Sequence, residues 1–367
     1  MAVNHAPIHG GNVHAAAREL RRPIGSILDF SASINPLGPS PRAVRALHDA
    51  ASLVEHYPDP DCISLKRAIA HRWDIPADRI VVGNGSTEVI DLIPRALSVR
   101  SALIVGPTYG EYARAVRQAG GRTSMVMAKK EDDYRAPIEQ ITDRLSRQRR
   151  VSRAIDAVFM CHPNSPTGQP CRRQDLHSLF TAANHGGTWV VLDESFIEYC
   201  NALTCLPQLR SYSRLIILRS FTKFYGLPGL RIGYSLSSPS VAALLRRYQP
   251  PWSVNVVAQR AAEAAMSDER HARRSVAYVE RERARVGTRL SLLDGLTVIP
   301  SSANFLLIEL PRPFRARAIT ANLRRQGMLV RDCSSVEGCT TRMIRIAVRA
   351  KRDNDRLLGA LARLLRR

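Results

Sequence analysis

Between about residues 41 and 240 the chain alternates short apolar runs with amphipathic stretches. Runs of strand length occur at Ile80–Val82, Ala102–Val105, Ser124–Met127, Ala157–Met160, Trp189–Leu192, Leu215–Leu218 and Ile232–Leu236. Between several of them apolar positions recur at helical spacing, over Thr87–Leu97, Glu111–Gln118 and Arg173–Ala183. An apolar run without polar alternation predicts a strand buried on both faces. Strands that alternate with helices predict a mostly parallel sheet with helices on both sides, here of seven strands.

The flanks read differently. Residues 1–40 hold glycine and proline clusters around one short strand candidate, Ile27–Phe30, and are expected to form an arm lying over another surface. Residues from about 246 to 292 predict long, arginine-rich helices. A second, smaller α/β set follows: Thr297–Ile299, Phe305–Glu309, a helix near Ala316–Gln326, Met343–Val348 and a terminal helix from Asp353. The expected division is an arm (1–40), a large domain (41–250), and linking helices with a small C-terminal domain (251–367).

At 367 residues, 45% hydrophobic and 23% charged, the chain has the composition of a globular protein with a sizeable core. It has no 18-residue apolar stretch, so no membrane partner is expected. Met1–Asn12 lacks the pattern of a secretory signal, and a cytoplasmic location is expected by default. The seven cysteines form no C-x-x-C pair and read as reduced thiols; no metal site is expected. A formal charge of +22 raises the question of nucleic acid. The arginines, however, are scattered through every segment, with no recognition motif beside them, so no nucleic-acid partner is expected. Small anionic ligands suit the charge better.

The chemistry concentrates in Ser220–Tyr234, where an apolar run leads into Ser220, Lys223, a glycine-rich turn and Arg231. Lysine is rare in this chain. Lys66, Lys129, Lys130, Lys223 and Lys351 are five of 54 lysines and arginines, so a lysine in such a turn is read as present for its amine. A sheltered, neutral lysine amine can condense with an aldehyde, while a hydroxyl and a guanidinium beside it can hold a phosphate. Gly85-Ser86-Thr87 closes one strand and opens a helix, where free N–H groups attract phosphate. Tyr109 ends the next strand and can stack on a flat ring. Asn164 stands in a loop stiffened by Pro163, Pro166 and Gly168. Asp193 ends an apolar strand, where a buried acid needs a partner such as a protonated ring nitrogen.

In the order Asn164, Asp193, Lys223, Arg231, the chain resembles the fold-type I enzymes dependent on pyridoxal 5′-phosphate, in the histidinol-phosphate aminotransferase-like group. Within that group it is most similar to the L-threonine-O-3-phosphate decarboxylases of cobalamin biosynthesis, through His9–Asn12, Asp29–Gly38 and Pro251–Asn255. The resemblance implies a large cofactor domain with a seven-stranded sheet and a small C-terminal domain. It implies Lys223 and Asp193 as catalytic residues, with cofactor contacts from Gly85, Ser86, Thr87, Tyr109, Asn164, Ser220 and Arg231. It also implies a homodimer, with Tyr57 reaching the cofactor phosphate across the interface. Contacts to a phosphorylated amino acid fall on His9, Gly10, Asn35, Asn164, Arg331 and Arg345. Phe196 stands where related aminotransferases usually carry tyrosine, as in the decarboxylases. With one donor fewer at the cofactor's phenolic oxygen, the adjoining nitrogen should hold its proton more tightly. The alternative activity is a histidinol-phosphate-type amino transfer.

Overall fold

The computed structural model describes residues 10–147 and 154–366. The chain opens with helix α1 (Val13–Leu20), strand β1 (Leu28–Asp29) and helices α2 (Pro41–Asp49) and α3 (Ile63–Trp73). The segment read as an arm is therefore partly built into the body. β1 pairs in parallel with a strand near residue 328, and Phe30 is wholly buried in the C-terminal core. Helix α2 carries its own sequence signal: the Ser40 hydroxyl accepts from the Ala43 N–H, and Pro41 takes the first helical position.

Strands and helices then alternate: β2 (Ile80–Gly83), α4 (Gly85–Ala96), β3 (Ser101–Gly106), α5 (Glu111–Gln118), β4 (Arg122–Met127), α6 (Ile138–Arg147), β5 (Ala157–Cys161), α7 (Arg173–Gly186), β6 (Trp189–Asp193), β7 (Leu215–Ser220) and β8 (Gly233–Leu236). The sheet order is β2-β8-β7-β6-β5-β3-β4, parallel except for β8, which runs antiparallel to both its neighbours. Each apolar run foreseen in the sequence is one of these strands. Successive side chains enter opposite cores. Leu192 and Ile217 pack toward α3, α7 and α9 (Val256–Met266), whereas Val191 and Leu218 pack toward α4, α5 and α8 (Pro239–Tyr248). Each such fully buried Ile or Leu contributes about 1.5–3 kcal/mol.

The long α10 (Glu269–Ser291) joins two cores, since Val279 belongs to the first and Val286 and Leu290 to the C-terminal one. That last layer holds β9 (Thr297–Val298), β10 (Phe305–Glu309), α11 (Ala316–Arg325), β11 (Met328–Leu329), β12 (Arg331–Asp332), β13 (Met343–Ala347) and α12 (Lys351–Leu365). β12-β13-β10-β9 form an antiparallel sheet, and β11 is the partner of β1. Among the described residues no helix is long and apolar enough to cross a membrane.

Candidate active site

The C-terminal ends of β3, β5, β6 and β7 open into a cavity of about 510 Å³, closed on the far side by the loop after β12. Lys223 enters it from the turn after β7. Burial, followed by the charges of Arg345 and Arg231, pushes its amine down to about 8, so a usable fraction is neutral near physiological pH. The turn is braced from behind: the Asn35 N–H donates to the Lys223 carbonyl (2.9 Å), and Asn35 Nδ2 donates to the Phe224 carbonyl (2.8 Å).

Asp193 faces the cavity from the end of β6 and is 5% exposed. Tyr112 Oη donates to its Oδ2 at 2.7 Å and the Ser195 N–H to its Oδ1 at 2.9 Å. Burial raises its carboxyl above the ordinary value, against the pull of Ser195, Tyr112 and Lys223. Among the described residues no cationic side chain hydrogen-bonds it. A buried carboxylate held only by neutral donors suits a cationic ring nitrogen arriving with a ligand.

On the opposite wall, α4 starts without a side-chain cap, and the Asn84 N–H turns to Glu88 Oε2 (2.7 Å). The first turn of α4, with Ser86 and Thr87, lines the cavity, where the Thr87 side chain hydrogen-bonds Tyr109. Gly85 sits at φ +76°, and a Cβ there would lie 2.6 Å from Arg231 Nη2. Arg231 itself adopts φ +54°, uncommon for a residue with a side chain. Guanidinium, helix start, Ser220 and Thr222 together make a cradle for a dianion. Tyr109 lines the wall beside it, its ring edge-on to Tyr112 at 5.6 Å.

Arg331 and Arg345 are directly opposed across β12 and β13. Like charges in that position repel. Arg345 donates to Ser165 Oγ (2.8 Å) and the Ser31 carbonyl (2.9 Å), its Cζ 5.0 Å from the Phe305 ring centre, yet its buried Nε has no partner among the described residues. The Arg331 side chain has no hydrogen-bond or carboxylate partner among the described residues. Two opposed guanidinium groups with no carboxylate between them among the described residues have the chemistry to bind an anion. Gly10 lines the same end, so tightly packed that a Cβ would meet the Ser31 carbonyl oxygen at 2.3 Å.

Two expected contacts, Asn35 and Asn164, stand away from the cavity lining, and His9 lies outside the described residues. Asn35 is buried behind the cavity, its amide spent on Phe224 and on Ser275 Oγ (2.8 Å), its Oδ1 accepting from the Leu37 N–H. Here it positions the lysine turn, whereas the sequence pointed to substrate. Asn164 donates to the Pro107 carbonyl and Thr167 Oγ1 (both 2.9 Å) and accepts from Thr108 Oγ1, which ties its amide to the loop. Tyr57, expected to act across an interface, is 81% exposed and packs tilted against Trp252 at 4.8 Å, outside the cavity lining of its own chain. Sequence reasoning assigned no role to Tyr112, Ser195, Ser31 or Ser165. Tyr112, three residues beyond Tyr109 in the first turn of α5, was the most findable.

The aminotransferase class I and II family model matches residues 26–364. The threonine-phosphate decarboxylase of Salmonella typhimurium is 37% identical over 97% of this chain and 96% of its own length. The adenosylcobalamin biosynthesis bifunctional protein of Leptospira interrogans is 32% identical over 98% of this chain and 41% of its own. Among solved structures, the histidinol-phosphate aminotransferase of Sinorhizobium meliloti in complex with pyridoxal-5′-phosphate superposes with a TM-score of 0.86 at 25% identity. That match covers 99% of this chain and 96% of the other.

Proposed function

The chain belongs to the aminotransferase class I and II family, and on that footing we propose that it is a carboxy-lyase. It uses pyridoxal 5′-phosphate to convert L-threonine O-3-phosphate to (R)-1-aminopropan-2-yl phosphate and CO₂ in cobalamin biosynthesis. The observation that carries the reading is that one cavity holds Arg231 beside the start of α4 and, separately, two opposed arginines that have no carboxylate partner among the described residues. The first matches a cofactor phosphate; the second matches a substrate that brings two anionic groups of its own.

Gly85, Ser86, Thr87, Ser220 and Arg231 would hold the cofactor phosphate, Tyr109 would lie beside the ring, and Asp193 would stabilise a protonated ring nitrogen. The bound cofactor supplies an aldehyde for amines and a ring that draws electrons from a bond broken at Cα. Arg331 and Arg345 would take the substrate's carboxylate and phosphate and so fix the orientation of its Cα bonds. The Cα–carboxylate bond breaks, CO₂ departs, and a proton takes its place at Cα. Lys223 is the cavity's own amine for holding that proton. Phe196 offers no hydroxyl: its ring packs edge-on to Phe305 at 5.1 Å, with Lys223 Nζ 5.9 Å from its centre. This favours decarboxylation over amino transfer, in keeping with the resemblance noted above.

We read the assembly as a homodimer in the cytoplasm. An exposed Tyr57–Trp252 pair suits burial against a second copy, from which Tyr57 reaches the partner's cofactor phosphate. The deciding experiment incubates cofactor-loaded protein with L-threonine O-3-phosphate, without any 2-oxo acid, and follows products by mass spectrometry. Release of CO₂ with aminopropanol phosphate is expected. No CO₂, together with amino transfer from histidinol phosphate to a 2-oxo acid, would replace the proposal with the aminotransferase.

A further inference from the structure

Behind the cavity, three neighbouring strand ends are fastened to one turn. The residue after β5 is His162, that after β6 is Glu194, and Arg219 is the penultimate residue of β7; all three are wholly buried. Each is adjacent in sequence to a cavity residue, Cys161, Asp193 and Ser220 respectively, and strand alternation sends the two sets to opposite faces. All three rear side chains converge on Leu203–Cys205. His162 Nε2 meets the Leu203 carbonyl at 3.1 Å, with its Nδ1 accepting from the Cys171 N–H. Glu194 accepts from Thr204 Oγ1 (2.9 Å) and the Cys205 N–H (2.7 Å). Arg219 donates to Thr204 Oγ1 (2.8 Å), pairs with Glu194 at 2.8 Å and Glu198 at 3.2 Å, and lies 4.7 Å from the Trp73 ring centre.

We propose that Arg219 is a positioning residue that clamps the ends of β6 and β7 from the rear, holding Asp193 and Ser220 at the spacing the bound cofactor requires. A fully desolvated guanidinium between two carboxylates is a costly way to obtain stability alone. A planar fork that reaches two acids and a hydroxyl at once fixes direction, which a point charge does not. The register supports this: Asp193 lies opposite Leu218, so a shift of Arg219 moves Ser220 relative to Asp193.

The inference rests on reading the cavity as a pyridoxal-phosphate site. Its test is Arg219→Lys, which keeps the charge and removes the fork. Expected are a roughly tenfold weaker hold on pyridoxal phosphate in apoprotein titrations, the scale on which supporting partners of a site act, and a weaker visible circular dichroism of the bound cofactor. In turnover, kcat should fall with KM unchanged. If Arg219→Lys does not fold, Thr204→Val removes the hydroxyl shared by Arg219 and Glu194, and the same readouts apply. A lower melting temperature with wild-type cofactor affinity and dichroism would make the cluster merely structural and overturn the proposal. Failure of the wild-type protein to take up pyridoxal phosphate would overturn the cofactor reading and this inference with it.

Discussion

At the scale of single residues, Lys223 and the arginine pair set the chemistry. The Lys223 amine, pushed down to about 8, is protonated below that pH and neutral above it. The rate at which the apoprotein captures pyridoxal phosphate should therefore climb about tenfold per pH unit below 8 and level off above it. Stopped-flow absorbance across a pH series checks this. Arg345 is among the cations that depress the amine, so Arg345→Ala should move the inflection to higher pH. The same substitution leaves Arg331 alone in the anion site. Loss of one charged hydrogen-bonding partner costs about 2 kcal/mol, or roughly 30-fold in KM for the phosphorylated substrate. Unchanged KM in both Arg331→Ala and Arg345→Ala would remove the anion-clamp assignment.

At the scale of elements, the phosphate cradle depends on how β2 turns into α4. Gly85 occupies the left-handed region directly under Arg231. A side chain there costs about 1–2 kcal/mol of backbone strain and also displaces the guanidinium. Gly85→Ala should lower the melting temperature and weaken cofactor binding by roughly an order of magnitude. Fluorescence titration of the apoprotein separates the two effects. Loss of stability with full cofactor affinity would mean that Arg231 makes room and the cradle tolerates the Cβ. Among the elements the sequence did not foresee, α1 to α3, α6 and α8 carry the chain around the sheet without lining the cavity, whereas the short β12 brings Arg331 to it. Their mixed polar faces made them hard to read, although Ser40-Pro41 was a legible start signal for α2.

At the scale of the whole molecule, the C-terminal layer must stay docked for Arg331 and Arg345 to face Lys223. One fastening is Glu309, 3% exposed at the end of β10, which meets Lys130 from the segment after β4 together with Arg342 and Thr340. Burial would raise its carboxyl, but Lys130, Thr340 and Arg342 outweigh it and hold it below its ordinary value. A depressed carboxyl contributes stability above its unfolded-state pKa, about 4.3, and loses it as pH falls through the folded value. Glu309→Gln should therefore cost about 1–3 kcal/mol at neutral pH. The difference from the wild type should shrink once the pH falls below about 4. Thermal melts of both proteins at several pH values test the sign.

What the sequence alone determined is the part written in local order. Strand-length apolar runs set the seven-stranded sheet, because burial on both faces demands continuous apolar side chains. The motifs at the strand ends, Gly85–Thr87, Tyr109, Asp193 and Lys223–Arg231, announced the cavity, because each combines a chain reversal with a reactive or ligand-binding group. The tertiary structure decided the rest. Arg331 and Arg345, 14 positions apart in an arginine-rich chain, become a pair only through the β12–β13 register. Asn35 proves to be a brace and not a wall of the cavity, because its direction is set by Phe224 and Ser275, far away in sequence. Arg219 looks like any other arginine until three strand ends bury it. Spacing along a chain specifies the period of an element; which face a charge enters, and which charge it meets there, is settled only by packing.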